Sequence, residues 1–288
     1  MRFPRILCLI IAGAWFAFAA PSVAQHQHPA GEPEKLGKVD FSVSCDAAVQ
    51  PQFNRAVAML HSFWYEKASE AFAAIAEKDP ACGMAYWGIA MTHYHQIWEA
   101  PGSADLKQGW TAVEKANSTG AKTQRERDYI GAIETFYKDS GKLDHRTRAL
   151  AYERTMEQLH ARYPNDREAT IFYALAVRAN APPGDKTYAN QKKSGAILEP
   201  IFSEQPEHPG IAHYIIHCYD YPTLADRGLE AARSYAKIAA DSPHALHMPS
   251  HIFTRLGLWQ ESIESNFASA AGFGNSVMVG GLGNTNGS

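Results

Sequence analysis

The sequence predicts an all-α fold of stacked helix pairs, an α-solenoid, on three observations. The spacing small-x3-aromatic-x7-Pro occurs twice in full, at Ala68, Phe72 and Pro80 and again at Ala231, Tyr235 and Pro243. Weaker copies end at Pro164 and Pro206, so successive prolines stand 84, 42 and 37 residues apart, and 84 is twice 42. Amphipathic runs of helical period fill the intervals. A period near 40 built of paired helices is the signature of a repeat stack. Each residue type has its reason. The small residue lets two helices approach, the ring one turn later fills the space between them, and the proline stops the second helix.

The N-terminus reads as a targeting segment. Arg2 and Arg5 precede an apolar run from Ile6 to Ala20, and Ser22-Val23-Ala24 places small residues where a signal peptidase cuts. Residues 1–24 are therefore expected to be a signal peptide, which predicts a periplasmic or secreted protein. No other apolar run is long enough to span a bilayer, so no transmembrane span is expected after signal removal. Residues 25–41 are polar, with Pro, Gly and charge, and read as a flexible lead-in. The repeat domain is placed at 42–271. Its first helices, each starting after a proline, are placed at 81–94, 166–179, 210–219 and 244–256. Second helices fall at 65–78, 145–162, 189–203 and 224–240. Two further helical runs, 105–117 and 123–139, interrupt the period, with an insertion at 99–104. Residues 272–288 form a Gly-rich tail that cannot hold a helix. The last helix pair, 252–270, lacks its closing proline, so a truncated stack with exposed apolar surface is expected.

In its 288 residues, 45% are hydrophobic and 20% charged, and the formal net charge is −3. That composition is ordinary for a globular protein. Without a Lys/Arg cluster beyond the N-terminus, it excludes a nucleic-acid partner.

The segment FWYEKASEAFAAIAEKDPACGMAYWGIAM resembles the tetratricopeptide repeat at its aromatic, small and proline positions. With HYIIHCYD and HALHMPSHIFTRLG, the chain is more specifically similar to a family of exported bacterial tetratricopeptide-like proteins. That likeness covers most of residues 42–270 and implies architecture and export, not a reaction. In the repeat register Cys45 and Cys82 open the first helices of repeats one and two. Equivalent ends of stacked helices are neighbours, which predicts a Cys45–Cys82 disulfide and leaves Cys218 a buried free thiol.

Six of the thirteen histidines lie between His208 and Trp259. His213, His217 and Asp220 share one helix face, and His244, His247 and His251 have matching spacing on the next first helix. First helices line the concave side of a tetratricopeptide stack, so the two sets are expected to converge. Two uses follow. A His-rich groove could receive a protein or peptide partner, with His61, His93, Tyr94, Trp98 and His244 along it. Alternatively, His213, His217, Asp220, His247 and His251 could hold a transition ion, Zn, Cu, Ni or Fe by ligand type, in a metal binder or a metal-dependent hydrolase. An envelope assembly factor without a small-molecule site is a third reading. Pro249 biases Met248 away from helix, so His244 and His247 could fall in a loop. There is no HExxH, nucleophile elbow or phosphate-cradling loop, so no catalytic residue is assigned and a non-enzymatic role is favoured. Proton competition for metal is expected near the ordinary histidine pKa of ~6.5.

Overall fold

The computed structural model describes residues 34–97 and 99–273. They form α1 (Gln50–His61), α2 (Tyr65–Lys78), α3 (Gly83–Thr92), α4 (Ser103–Thr119), α5 (Gln124–Tyr137), α6 (His145–Arg162) and α7 (Arg167–Ala179). The order continues with α8 (Ala189–Glu204), α9 (Pro209–Tyr219), α10 (Leu229–Ile238), α11 (Pro243–His247), α12 (Pro249–Arg255) and α13 (Trp259–Phe273). Consecutive helices pack pairwise from α1 to α10, and α10 to α13 continue the stack. The architecture is a tetratricopeptide-like α-solenoid. None of the helices in the described residues is long and apolar enough to cross a membrane. The expected signal peptide, the start of the expected lead-in, Trp98 and the tail beyond Phe273 lie outside the described residues.

The repeat residues act as their chemistry requires. Ala68, Phe72, Ala231 and Tyr235 are all buried between paired helices. Three successive helix starts carry their own side-chain caps. Thr123 and Glu126 form a reciprocal capping box on α5, and Asp144 and Asp166 accept backbone N–H groups at the starts of α6 and α7.

Two expectations need correction. Residues 34–41 are not a flexible lead-in. Leu36, Val39 and Phe41 are buried, and Phe41 lies among the rings of Phe53, Trp87 and Tyr129. The backbone of the segment is tied to other elements through Lys38 N–H to Glu207 O (2.9 Å) and Phe41 N–H to Asn54 Oδ1 (3.2 Å). Its alternating apolar residues were outweighed in the sequence by Pro, Gly and charge. Second, two of the expected groove residues, His61 and Tyr94, are interior and line no open face. The solenoid curls until α1 meets α9. His61 then sits between α7 and α9 with no exposure, and Tyr94 is core, against Phe136 and Tyr152.

Cys45 and Cys82 form the disulfide that the repeat register predicts, with a sequence separation of 37, and Cys218 is a buried free cysteine. A loop of that length closed in the unfolded chain is worth roughly 2–4 kcal/mol. Cys82→Ser should lower the stability measured by urea denaturation by about that amount. An unchanged midpoint would show that the bridge constrains nothing.

Candidate metal centre

All eleven residues of α9 are buried, so anything polar on this helix must be answered by a neighbour. His213 and His217, one turn apart, project together. His213 Nδ1 donates to the backbone carbonyl of His61 at 2.7 Å. A neutral imidazole carries one N–H, so His213 Nε2 presents a bare lone pair. Nε2 of His217 and Nε2 of His244 both lie 3.0 Å from it. One in-plane lone pair serves one N–H donor well, not two. A cation satisfies all three rings at once. Nitrogens on a tetrahedral zinc ion, at ~2.0–2.1 Å from the metal, stand about 3.3 Å apart. The cluster is therefore geometrically compatible with metal coordination.

The surroundings keep these rings neutral. Burial pushes His213 down to about 3, outweighing the opposing pull of the His61 carbonyl. Burial also holds His217 and His244 well below the ordinary value, and the neighbouring imidazoles add to this; Arg178, whose Nε donates to the His217 carbonyl at 2.8 Å, adds further at His217. Phe63 covers the cluster, its ring 4.4 Å from that of His213 and 5.9 Å from that of His244. Phe63 has φ 54°, a left-handed conformation that a bulky residue holds only when its surroundings over-determine it. Tyr235 stacks on His213 from another side, at 5.0 Å. His244 is only half-buried, so the cluster is approached from its side.

Pro249 does end α11, yet Met248 keeps helical angles (φ −54°, ψ −36°). His244, His247 and His251 thus follow one nearly continuous helical path. His247 and His251 face each other, Nε2 to Nε2, at 3.1 Å. Asp220 sits behind His251 and not in the cluster. Its Oδ2 accepts from His251 Nδ1 at 2.9 Å and its Oδ1 from Arg255 Nε at 2.8 Å. Burial would raise the Asp220 carboxyl, but these two hydrogen bonds outweigh it and leave the pKa below the usual range.

Among the described residues, two other groups of metal-ligating residue types lie close together. Cys45, Asp79 and Cys82 offer no thiolate, because both cysteines are in the disulfide. The third is deep in the core. Glu168 accepts from Nε2 of His61 and Nε2 of His208, both at 2.8 Å, and Tyr214 OH lies 2.8 Å from His61 Nδ1. Protons alone account for that network's shared atoms, with two ring N–H groups on the carboxylate and one hydroxyl on the remaining His61 lone pair, while His208 Nδ1 is buried without a hydrogen-bond partner among the described residues. Its connection to the cluster is covalent, since the carbonyl that orients His213 belongs to His61.

Of the residues expected in the metal set, His213 and His217 come together, joined by His244 from the expected groove set. Asp220 is an outer partner, and His247 and His251 form a separate pair. His93 caps α3 and pairs with Asp105 at 3.1 Å. Sequence reasoning missed Glu168, Phe63, Tyr235 and Asn266 as site residues. Glu168 and Asn266 belong to no local motif, and the repeat pattern marks Phe63 and Tyr235 only as packing residues.

Fold and site together define a tetratricopeptide-like α-solenoid with a buried three-histidine cluster. No protein-family model matches the chain, and no curated protein does. Among solved structures the chain is similar to YrrB, described as a TPR protein with an unusual peptide-binding site. The identity is 18% over 68% of this chain and 89% of that one, with a TM-score of 0.33. So low a score carries no argument, and the fold assignment rests on the helix pairing itself.

Proposed function

We propose that the protein is an exported helical-repeat protein that binds a transition-metal ion through His213, His217 and His244. The carrying observation is the single His213 Nε2 lone pair facing two other ring nitrogens at 3.0 Å. Three neutral imidazoles suit Zn, Cu, Ni or Fe, and leave a coordination position for water or a small ligand. Export is supported by the N-terminal pattern and by the disulfide, which persists in oxidising compartments. A metal-dependent hydrolase would need a base beside the open position. Asp220 does not supply it, being engaged by His251 and Arg255.

Partner binding is a second reading, but not through His61, His213 and His217, which are interior. It is favoured by Trp259, Ile263 and Phe267, spaced i, i+4, i+8 on α13 and each at least half exposed.

The test is metal uptake by protein prepared without a His-tag, using elemental analysis and calorimetry with Zn, Cu and Ni. Wild type should bind tightly at neutral pH. His217→Ala should lose at least ~100-fold in affinity, more than loss of an outer partner costs. Equal, negligible uptake by both would end the metal reading and leave the cluster structural.

A further inference from the structure

We propose that His247 and His251 hold a second divalent transition-metal ion beside the three-histidine centre, so that the protein takes up two ions. The residues differ from those of the first centre, and the observation that carries the proposal is a separate one.

That observation concerns tautomers. His247 Nδ1 lies 2.8 Å from Asn266 Oδ1. The orientation of the Asn266 amide is fixed, because its Nδ2 donates to the Ser262 carbonyl at 2.9 Å. Oδ1 is therefore an acceptor, and His247 Nδ1 must be the donor. His251 Nδ1 faces the Asp220 carboxylate at 2.9 Å, so it too must be the donor. Each neutral ring has then used its one N–H, and each presents a bare lone pair at Nε2. Those two lone pairs point at each other across 3.1 Å. A neutral hydrogen-bonded pair of imidazoles needs opposite tautomers, whereas here both rings are locked in the same one. Something positive belongs between them.

A proton and a metal ion are the two candidates. Several features favour the metal. Asp220 behind His251 completes a carboxylate–histidine relay of the kind that orients ligand imidazoles. Asp220 is already charge-balanced by Arg255 at 2.8 Å, so it does not call for an imidazolium. The 3.1 Å separation is near the ~3.3 Å expected of two nitrogens on a tetrahedral ion. The pair adjoins the first centre, with the His244 and His247 rings 6.4 Å apart. Two imidazoles leave the rest of the coordination sphere to water. The His251 side chain is 35% exposed, so the ion here should be weaker and more exchangeable than in the buried centre.

The experiment is titration of the purified protein with Zn²⁺ by calorimetry and with Co²⁺ by visible absorption. Wild type should take up two ions, the second at least 10-fold weaker. His251→Ala and His247→Gln should each bind one ion, with the tight affinity unchanged, and thermal melts should show both variants folded. His217→Ala should keep only the weaker ion. One ion in wild type, bound unchanged by His251→Ala, would mean that a proton bridges the pair and would overturn the proposal. Loss of both ions in a folded His251→Ala would mean a single five-histidine centre and would overturn it too. If wild type and the His247 and His251 variants behave as expected but His217→Ala still binds two, the three-histidine reading fails and this one stands.

Discussion

Glu168→Ala should unfold more readily than any surface variant, by roughly 3–5 kcal/mol, the cost of two buried ring N–H groups losing their acceptor together with the cavity left behind. In a chain of this size that is a fall of roughly 6–20 °C in the melting midpoint. Glu168 is 2% exposed and accepts a hydrogen bond from each of two buried rings at 2.8 Å. Burial alone would raise its pKa, but the facing His208 and His61 outweigh that and keep the carboxylate ionised. Without it, two buried ring N–H groups are left with no acceptor, and a cavity is added. The effect should reach the metal centre. The His61 ring stacks on Phe172 and its carbonyl fixes the tautomer of His213, so a loosened His61 should weaken metal uptake by about 10–100-fold. A melting midpoint within about 1 °C of wild type would show that the network contributes nothing.

How much of this was legible in the sequence divides by range. Second helices α2 and α6 begin and end where periodicity and proline place them. The Cys45–Cys82 bridge follows from equivalent repeat positions. The pairing of His213 with His217 is a local i, i+4 relation, and neighbouring first helices do bring a third histidine to it, but that residue is His244 and not the expected His247 or His251. What failed was non-local. Glu168 lies 107 residues from His61, and nothing in the spacing of either marks the other. Periodicity says that Tyr94 is on a helix, not which side of a curling stack it meets. It meets the core, with its ring 3.7 Å from that of Phe136. Asp220 shared a face with His213 and His217 on paper, but it is the C-cap of α9 (φ −70°, ψ 53°), where the helical register ends. That change of direction turns it towards His251 and Arg255. Asn266 is invisible as a site residue because its role depends on which end of its amide is held.

The ion-free protein should also lose stability steeply between neutral pH and pH 5. An exposed imidazole in the unfolded chain titrates near ~6.5. Burial holds His213 at about 3 in the fold. Between those values the unfolded chain takes up a proton that the folded chain refuses, so stability is intact above ~6.5 and falls as pH drops towards 3. For His213 alone the loss by pH 5 is roughly 2 kcal/mol. His217 and His244, also depressed by burial, act in the same direction. The expectation of proton competition near ~6.5 therefore moves. Within the folded cluster the rings stay neutral and ready for metal well below that pH, and acid acts chiefly by opening the fold. A bound ion adds to the stability of the folded state alone, about 2.7 kcal/mol at a free concentration 100 times Kd. Urea denaturation at pH 7.5, 6 and 5, with chelator and with Zn²⁺, measures both effects. The chelated protein should show the steep loss, His213→Asn should show a shallower one, and Zn²⁺ should raise the whole curve. A flat profile in chelator would mean that water reaches these imidazoles and that they are not the closed cluster the packing describes.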